Sequence, residues 1–152
     1  MCSCCLGETI SRPLYESLAT LITDPVPESV VRQILKDEHL HARFGWETLE
    51  WLWPRLGDEE RAWLQRRLAR RLAGFELSCA PNHRLEDLVG EEICVEAPPA
   101  DAPPNLGHLP SRTYAGIFYA TLEAEIFPHF QAIGLDPMLA WQERAAAYRQ
   151  KW

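Results

Sequence analysis

The sequence predicts an all-α fold, a helical bundle that opens with two long antiparallel helices and continues with additional C-terminal helices. Three observations predict it: apolar residues recur at steps of three and four through most of the chain, no stretch sustains the alternation of a strand, and no internal repeat is present. At 152 residues the chain has the usual length of one domain with one core.

The first helix is expected from Leu6 to about Ile22, where Leu6, Ile10, Leu14, Leu18, Leu21 and Ile22 keep helical spacing. Pro13 lies inside it and is expected to kink it, because its ring removes a donor and crowds the preceding turn. The stretch Thr23-Asp24-Pro25-Val26-Pro27-Glu28-Ser29 reads as a stop and a restart. A second helix follows from about Glu28 to Trp53, closed by Pro54 and Gly57. Its inward line is Ile34, Glu38, His41, Gly45, Leu49 and Leu52, which places two ionisable groups among apolar neighbours in the interior.

Asp58 is the expected cap of a third helix with Leu64, Leu68, Leu72 and Phe75 on its apolar side. The opposite side is basic: residues 55–75 hold six arginines against three acids, and residues 76–101 hold seven acids against one arginine. The two segments are expected to complement each other. Residues 96–110 read as a proline-rich, poorly structured connector. A fourth helix should run from about Ser111 to Ile133 and stop at Gly134, and a short terminal helix from Pro137 to about Arg149 carries Met138, Trp141 and Tyr148. The organisation within the single domain 1–152 is thus a helix pair (1–56), a third helix with an acidic segment (57–95), the connector (96–110) and the C-terminal helices (111–152).

A formal net charge of -7 argues against nucleic acid or an anionic membrane surface as partner, since both demand a basic footprint. No apolar run approaches the roughly 20 residues of a membrane span, and Met1 to Gly7 lack the features of a signal peptide, so the cytoplasm is the expected location. Five cysteines without an export signal are expected to stay reduced. Cys2, Cys4 and Cys5, with Cys79 or His83, do not form a zinc-finger spacing.

No nucleophile turn and no phosphate-binding glycine loop are present, and no catalytic residue is identified. The chemistry-bearing feature is Glu38-His39-Leu40-His41. Residues three apart on a helix point the same way, so Glu38 and His41 can hold a cation from one side, or simply bond to each other. Glu8 adds a second carboxylate. Glu8 to Thr23 spans about 22 Å of helix and Glu28 to Glu38 about 15 Å on the return, which brings the carboxylates within roughly a turn and a half of one level. Buried carboxylates need neutralising by a metal or by an arginine, for which Arg12, one turn after Glu8, is the candidate. Trp46, Trp51, Trp53 and Trp63 read as core. His39, His83, His108 and His129 read as surface histidines.

The stretches Cys5 to Leu14, Thr23 to Val26, and Ile34 to Trp46 resemble the second helix pair of bacterial ferritin-like domain proteins, over residues 5–53. The region from Tyr114 to Trp141 is similar, more loosely, to the C-terminal extension of some of them. The resemblance implies a ferritin-like half-bundle with Glu8, Glu38 and His41 as metal ligands, binding two irons per complete site, or occasionally manganese. It also implies the superfamily's range of activities, from iron storage to O2-dependent oxidoreductase chemistry. A complete bundle supplies a first helix pair with its own Glu and Glu-x-x-His, and this chain has no second Glu-x-x-His. Three explanations stand open: a homodimer or another partner supplies the other helix pair, the chain is a fragment, or it is a remnant serving as a non-catalytic helical interaction protein.

Overall fold

The computed structural model describes residues 3–88, 93–99 and 101–149. The chain is all-α, with no strand among the described residues. A π turn, Ser3–Gly7, leads into α1 (Glu8–Leu21); α2 (Pro25–Leu52) and a 3-10 turn (Trp53–Arg55) follow, then α3 (Asp58–Cys79). After a 3-10 turn at Leu85–Asp87 and an irregular stretch come α4 (Ser111–Thr121), a second π turn (Leu122–Ile126), α5 (Phe127–Ile133) and α6 (Pro137–Arg149). Among the described residues, no helix is long and apolar enough to cross a membrane.

Local chemistry explains the ends. Ile22 turns extended and closes α1, and the Asp24 carboxylate accepts from the Val26 amide at 2.9 Å, capping α2 with Pro25 in its first turn. α2 therefore starts three residues earlier than the sequence pattern suggested. The expected cap of α3 is corrected: Asp58 is the first helical residue, Gly57 is the cap, and the Gly57 amide donates to Glu60 Oε2 at 2.8 Å. Pro13 lies within α1, and the helical irregularity stands before it, in the π turn that hands over to Glu8. The helix predicted over Ser111–Ile133 is interrupted by its π turn, which precedes Pro128 and absorbs a ring that would collide with a regular preceding turn. Gly134 ends α5 at φ 107°, where a Cβ would lie 2.9 Å from Trp53 Nε1, so glycine is required both by conformation and by space.

One apolar cluster joins all these helices. Leu6, Ile10 and Leu14 meet Trp46 and Leu49 of α2, Leu68 and Leu72 of α3, and Phe118, Leu122, Ile126 and Phe130 of the α4–α5 rod. α4 is buried along most of its length and is the central element; α1 packs between it and α2, while α3 packs chiefly on α6. The connector is irregular, as expected, yet it is anchored: the Thr23 amide donates to the Asn105 carbonyl at 3.2 Å, and Leu109 is buried. Glu76, the first acid of the acidic segment, pairs with Arg144 of α6 rather than with an α3 arginine, at 2.6 Å. Cys2 and the acidic residues Glu91 and Glu92 lie outside the described residues.

Candidate metal centre

α1 and α2 form an antiparallel hairpin whose register is read from three contacts. Ser11 meets Glu38, Glu8 meets His41, and Cys4 meets Gly45, so equal steps in opposite directions carry one helix past the other. The backbones approach closely at Gly45, where a Cβ would stand 2.8 Å from Cys4 Cβ and 2.9 Å from the Cys4 carbonyl carbon. The absent side chain lets the backbones close, and that closure sets Glu8 opposite the Glu38–His41 turn.

One ligand atom from each of Glu8, Glu38 and His41 lies within 4.8 Å of the others. Glu38 is buried, Glu8 is half-buried, and His41 is exposed, its side chain 57% accessible. The last point corrects the expectation of two interior groups. His41 lies on the inward line of α2, but among the described residues no neighbouring helix covers that line at its level, so the imidazole stands at the rim. His41 Nδ1 is 3.8 Å from Glu8 Oε2, an ion-pair distance without a hydrogen bond.

Three neighbours complete the surroundings, and the pattern search missed their roles. The Ser11 hydroxyl donates to Glu38 Oε2 and also lies 3.1 Å from the Glu8 carbonyl oxygen. Its position one turn after Glu8, on the same face, was the available signal. Thr9 accepts from Trp46 Nε1 at 3.0 Å, and both are buried, which forms a firm floor beside Glu8. Trp46 in turn stacks on His129 with ring centroids 4.6 Å apart, so His129 covers an aromatic surface while remaining exposed. Of the four tryptophans expected in the core, Trp46 is buried and Trp53 half-buried, whereas Trp51 and Trp63 are exposed.

Arg12 decides how the carboxylates are neutralised. Its guanidinium binds Glu125 through two contacts, 2.5 and 2.6 Å, instead of turning to Glu8. Glu125 sits in the π turn of the central rod, 113 residues later in the chain. Among the described residues neither Glu8 nor Glu38 has an arginine or lysine ion pair.

The Glu8 carboxyl consequently titrates above its ordinary value of 4.5, first because it hydrogen-bonds Glu38, then because burial and the Glu38 charge oppose ionisation; His41 works in the other direction. The folded chain holds this proton more tightly than the unfolded one. The group's favourable contribution is present at low pH and fades as pH rises from 4.5 through the raised value. Glu8→Gln is therefore expected to raise the melting temperature of the metal-free protein at pH ~7 while changing little near pH ~4, where Glu8 is neutral in both states. Thermal unfolding at both values checks this, and a lower melting temperature for the variant at neutral pH contradicts it.

Two carboxylates and an imidazole are the donors that intermediate first-row cations accept. Three donors about 2.1 Å from one ion, at mutual angles of about 90–120°, stand roughly 3.0–3.6 Å apart, so the 4.8 Å spread needs a closure of roughly 1–2 Å, which the exposed His41 is free to supply. Among the described residues this is the one group of three such side chains, and no cysteine belongs to it. Cys4, Cys79 and Cys94 form no disulfide among the described residues.

Comparison with known proteins found no matching family model, no matching curated protein and no matching solved structure.

Proposed function

We propose that this chain is a metal-binding helical protein of ferritin-like type, in which Glu8, Glu38 and His41 hold iron, with manganese as the second choice. One observation carries the reading: two adjacent carboxylates and an imidazole converge while the nearest arginine is committed to Glu125. A divalent cation would supply the counter-charge that no arginine or lysine gives these carboxylates among the described residues. When bound, iron supplies redox chemistry toward O2, which makes an oxidoreductase role the natural extension of the proposal.

Three donors do not fill a coordination sphere, and the open side of the triad adjoins an apolar strip. Leu40, Phe44 and Trp51 of α2 are 64%, 66% and 58% exposed. Their steps of four and seven place them along one side of the helix, with His41 beside the strip. The bare strip supports a further helix pair seated on α2, from a second copy of the chain or from another partner, that adds its own carboxylates. The same strip favours a second reading, in which the partner binds and the chain acts as a non-catalytic interaction module.

Native mass spectrometry with and without ferrous iron separates the two. The metal reading expects about one iron per chain, two in a dimer, carried only by the assembled form. Phe44→Glu, a change at an exposed position, should abolish assembly while leaving helix content unchanged. Assembly without metal favours the interaction module; a chain that neither assembles nor binds iron eliminates both.

A further inference from the structure

Away from the triad, α3 lines an open cleft of about 660 Å³ with Tyr114 of α4, within the size range of small-molecule sites. Arg67, Arg70, Arg71 and Phe75 of α3 line it at spacings that share one helix face, and Tyr114 of α4 forms part of the lining. Phe75 reaches past the cleft to Gly7, where its ring lies 3.7 Å from the position of a glycine Cβ. Among the described residues the lining holds three guanidinium groups and no carboxylate, in a chain whose net charge is -7.

The arrangement has a cost within α3. From Arg61 to Phe75 the sequence contains no acid, so Arg66 faces Arg70 and Arg67 faces Arg71 at the i,i+4 spacing where like charges repel. Arg67 also lies over the Trp63 ring at 5.1 Å, and Arg67 and Arg70 make further contacts that hold them in place. Guanidinium forks match phosphate oxygens in pairs, and three of them suit a dianion better than a monoanion. Phe75 and Tyr114, both half-buried, offer flat apolar surface beside the charge.

We infer that the α3–α4 cleft binds a small organic phosphate, a dianionic head on a flat apolar body. The inference stands apart from the metal centre, because none of the three ligands lines the cleft.

Isothermal titration calorimetry of the full chain with phenyl phosphate, benzoate and phenol tests it. Phenyl phosphate should bind, benzoate should bind about tenfold more weakly for its single charge, and phenol should give no heat. Arg70→Ala and Arg71→Ala should each weaken phenyl phosphate about tenfold. Phe75→Ala should reduce its affinity to that of inorganic phosphate. Circular dichroism confirms that the variants fold; Arg71 is exposed, so its replacement leaves the core untouched. Silence of phenyl phosphate at millimolar concentration, equal binding of benzoate, or unchanged affinity in the Arg70→Ala/Arg71→Ala double variant each overturns the assignment.

Discussion

Glu38→Ala should remove the thermal stabilisation that ferrous iron is expected to give the wild-type chain. Glu38 is the only buried member of the triad, and its carboxylate is the group that both Ser11 and Glu8 address. A cation held by the folded chain alone stabilises it by about 2.7 kcal/mol at a hundredfold excess over Kd. For a chain of this length each kcal/mol moves the melting temperature by roughly 2–4 °C, so anaerobic ferrous iron should raise the wild-type transition by roughly 5–10 °C. The alanine variant should show no such rise. Its metal-free form should remain folded, because the core that joins the helices does not include Glu38. Calorimetry of both proteins with iron and with manganese reads this directly. A wild-type transition that neither cation moves removes the metal reading.

Gly45→Ala should destabilise the fold at the point where the π turn crosses α2. The added methyl would overlap both Cβ and the backbone of Cys4, so relief requires the π turn to move off α2 rather than a side chain to rotate. Overpacking of this kind costs about 1–3 kcal/mol, or a fall of roughly 2–12 °C in melting temperature. The displacement also carries functional weight. Glu8 follows the π turn directly, and levering that turn away separates Glu8 from His41. Iron should then stabilise the variant less than it stabilises the wild type, beyond the common loss in both metal-free proteins. Gly74→Ala is the control, since nothing lies within 4 Å of a Cβ placed there. There helix propensity acts alone and should favour alanine by up to about 1 kcal/mol; an equal gain at Gly45 would show that the α1–α2 approach does not oppose the methyl.

The metal-free cost at Glu8 and the gain on metal binding belong to one physical arrangement. Carboxylates placed together without a cationic side chain raise the energy of the ionised fold, and a bound divalent ion removes that penalty. Opposite signs for Glu8→Gln in the two states are the signature of a binding site. A merely structural hydrogen-bonded pair predicts a loss on substitution in both.

Much of the fold was legible because helical periodicity is local. The lines Leu6–Ile10–Leu14, Leu68–Leu72 and Ile117–Phe118–Leu122–Ile126 mark faces that do enter the core. The stop at Gly134 was visible for the same reason, since the left-handed residue that ends a helix favours glycine. Errors arose where competing local groups offered alternatives. Asp58 and Gly57 both suit a cap, and the Glu60 carboxylate, reaching back to the Gly57 amide, selects the earlier one.

The sequence by itself determined that Glu38 and His41 share one side of α2, and that a short turn at Asp24 returns the chain toward Glu8, because spacing and capping are properties of neighbouring residues. Only the tertiary structure decided that Arg12 pairs with Glu125, that Ser11 serves Glu38, and that His41 stands at the rim. Those outcomes depend on where the α4–α5 rod lies and on which part of α2 it leaves uncovered. A helix's residue spacing defines its faces; the packing of distant segments decides which of them meet protein and which meet solvent.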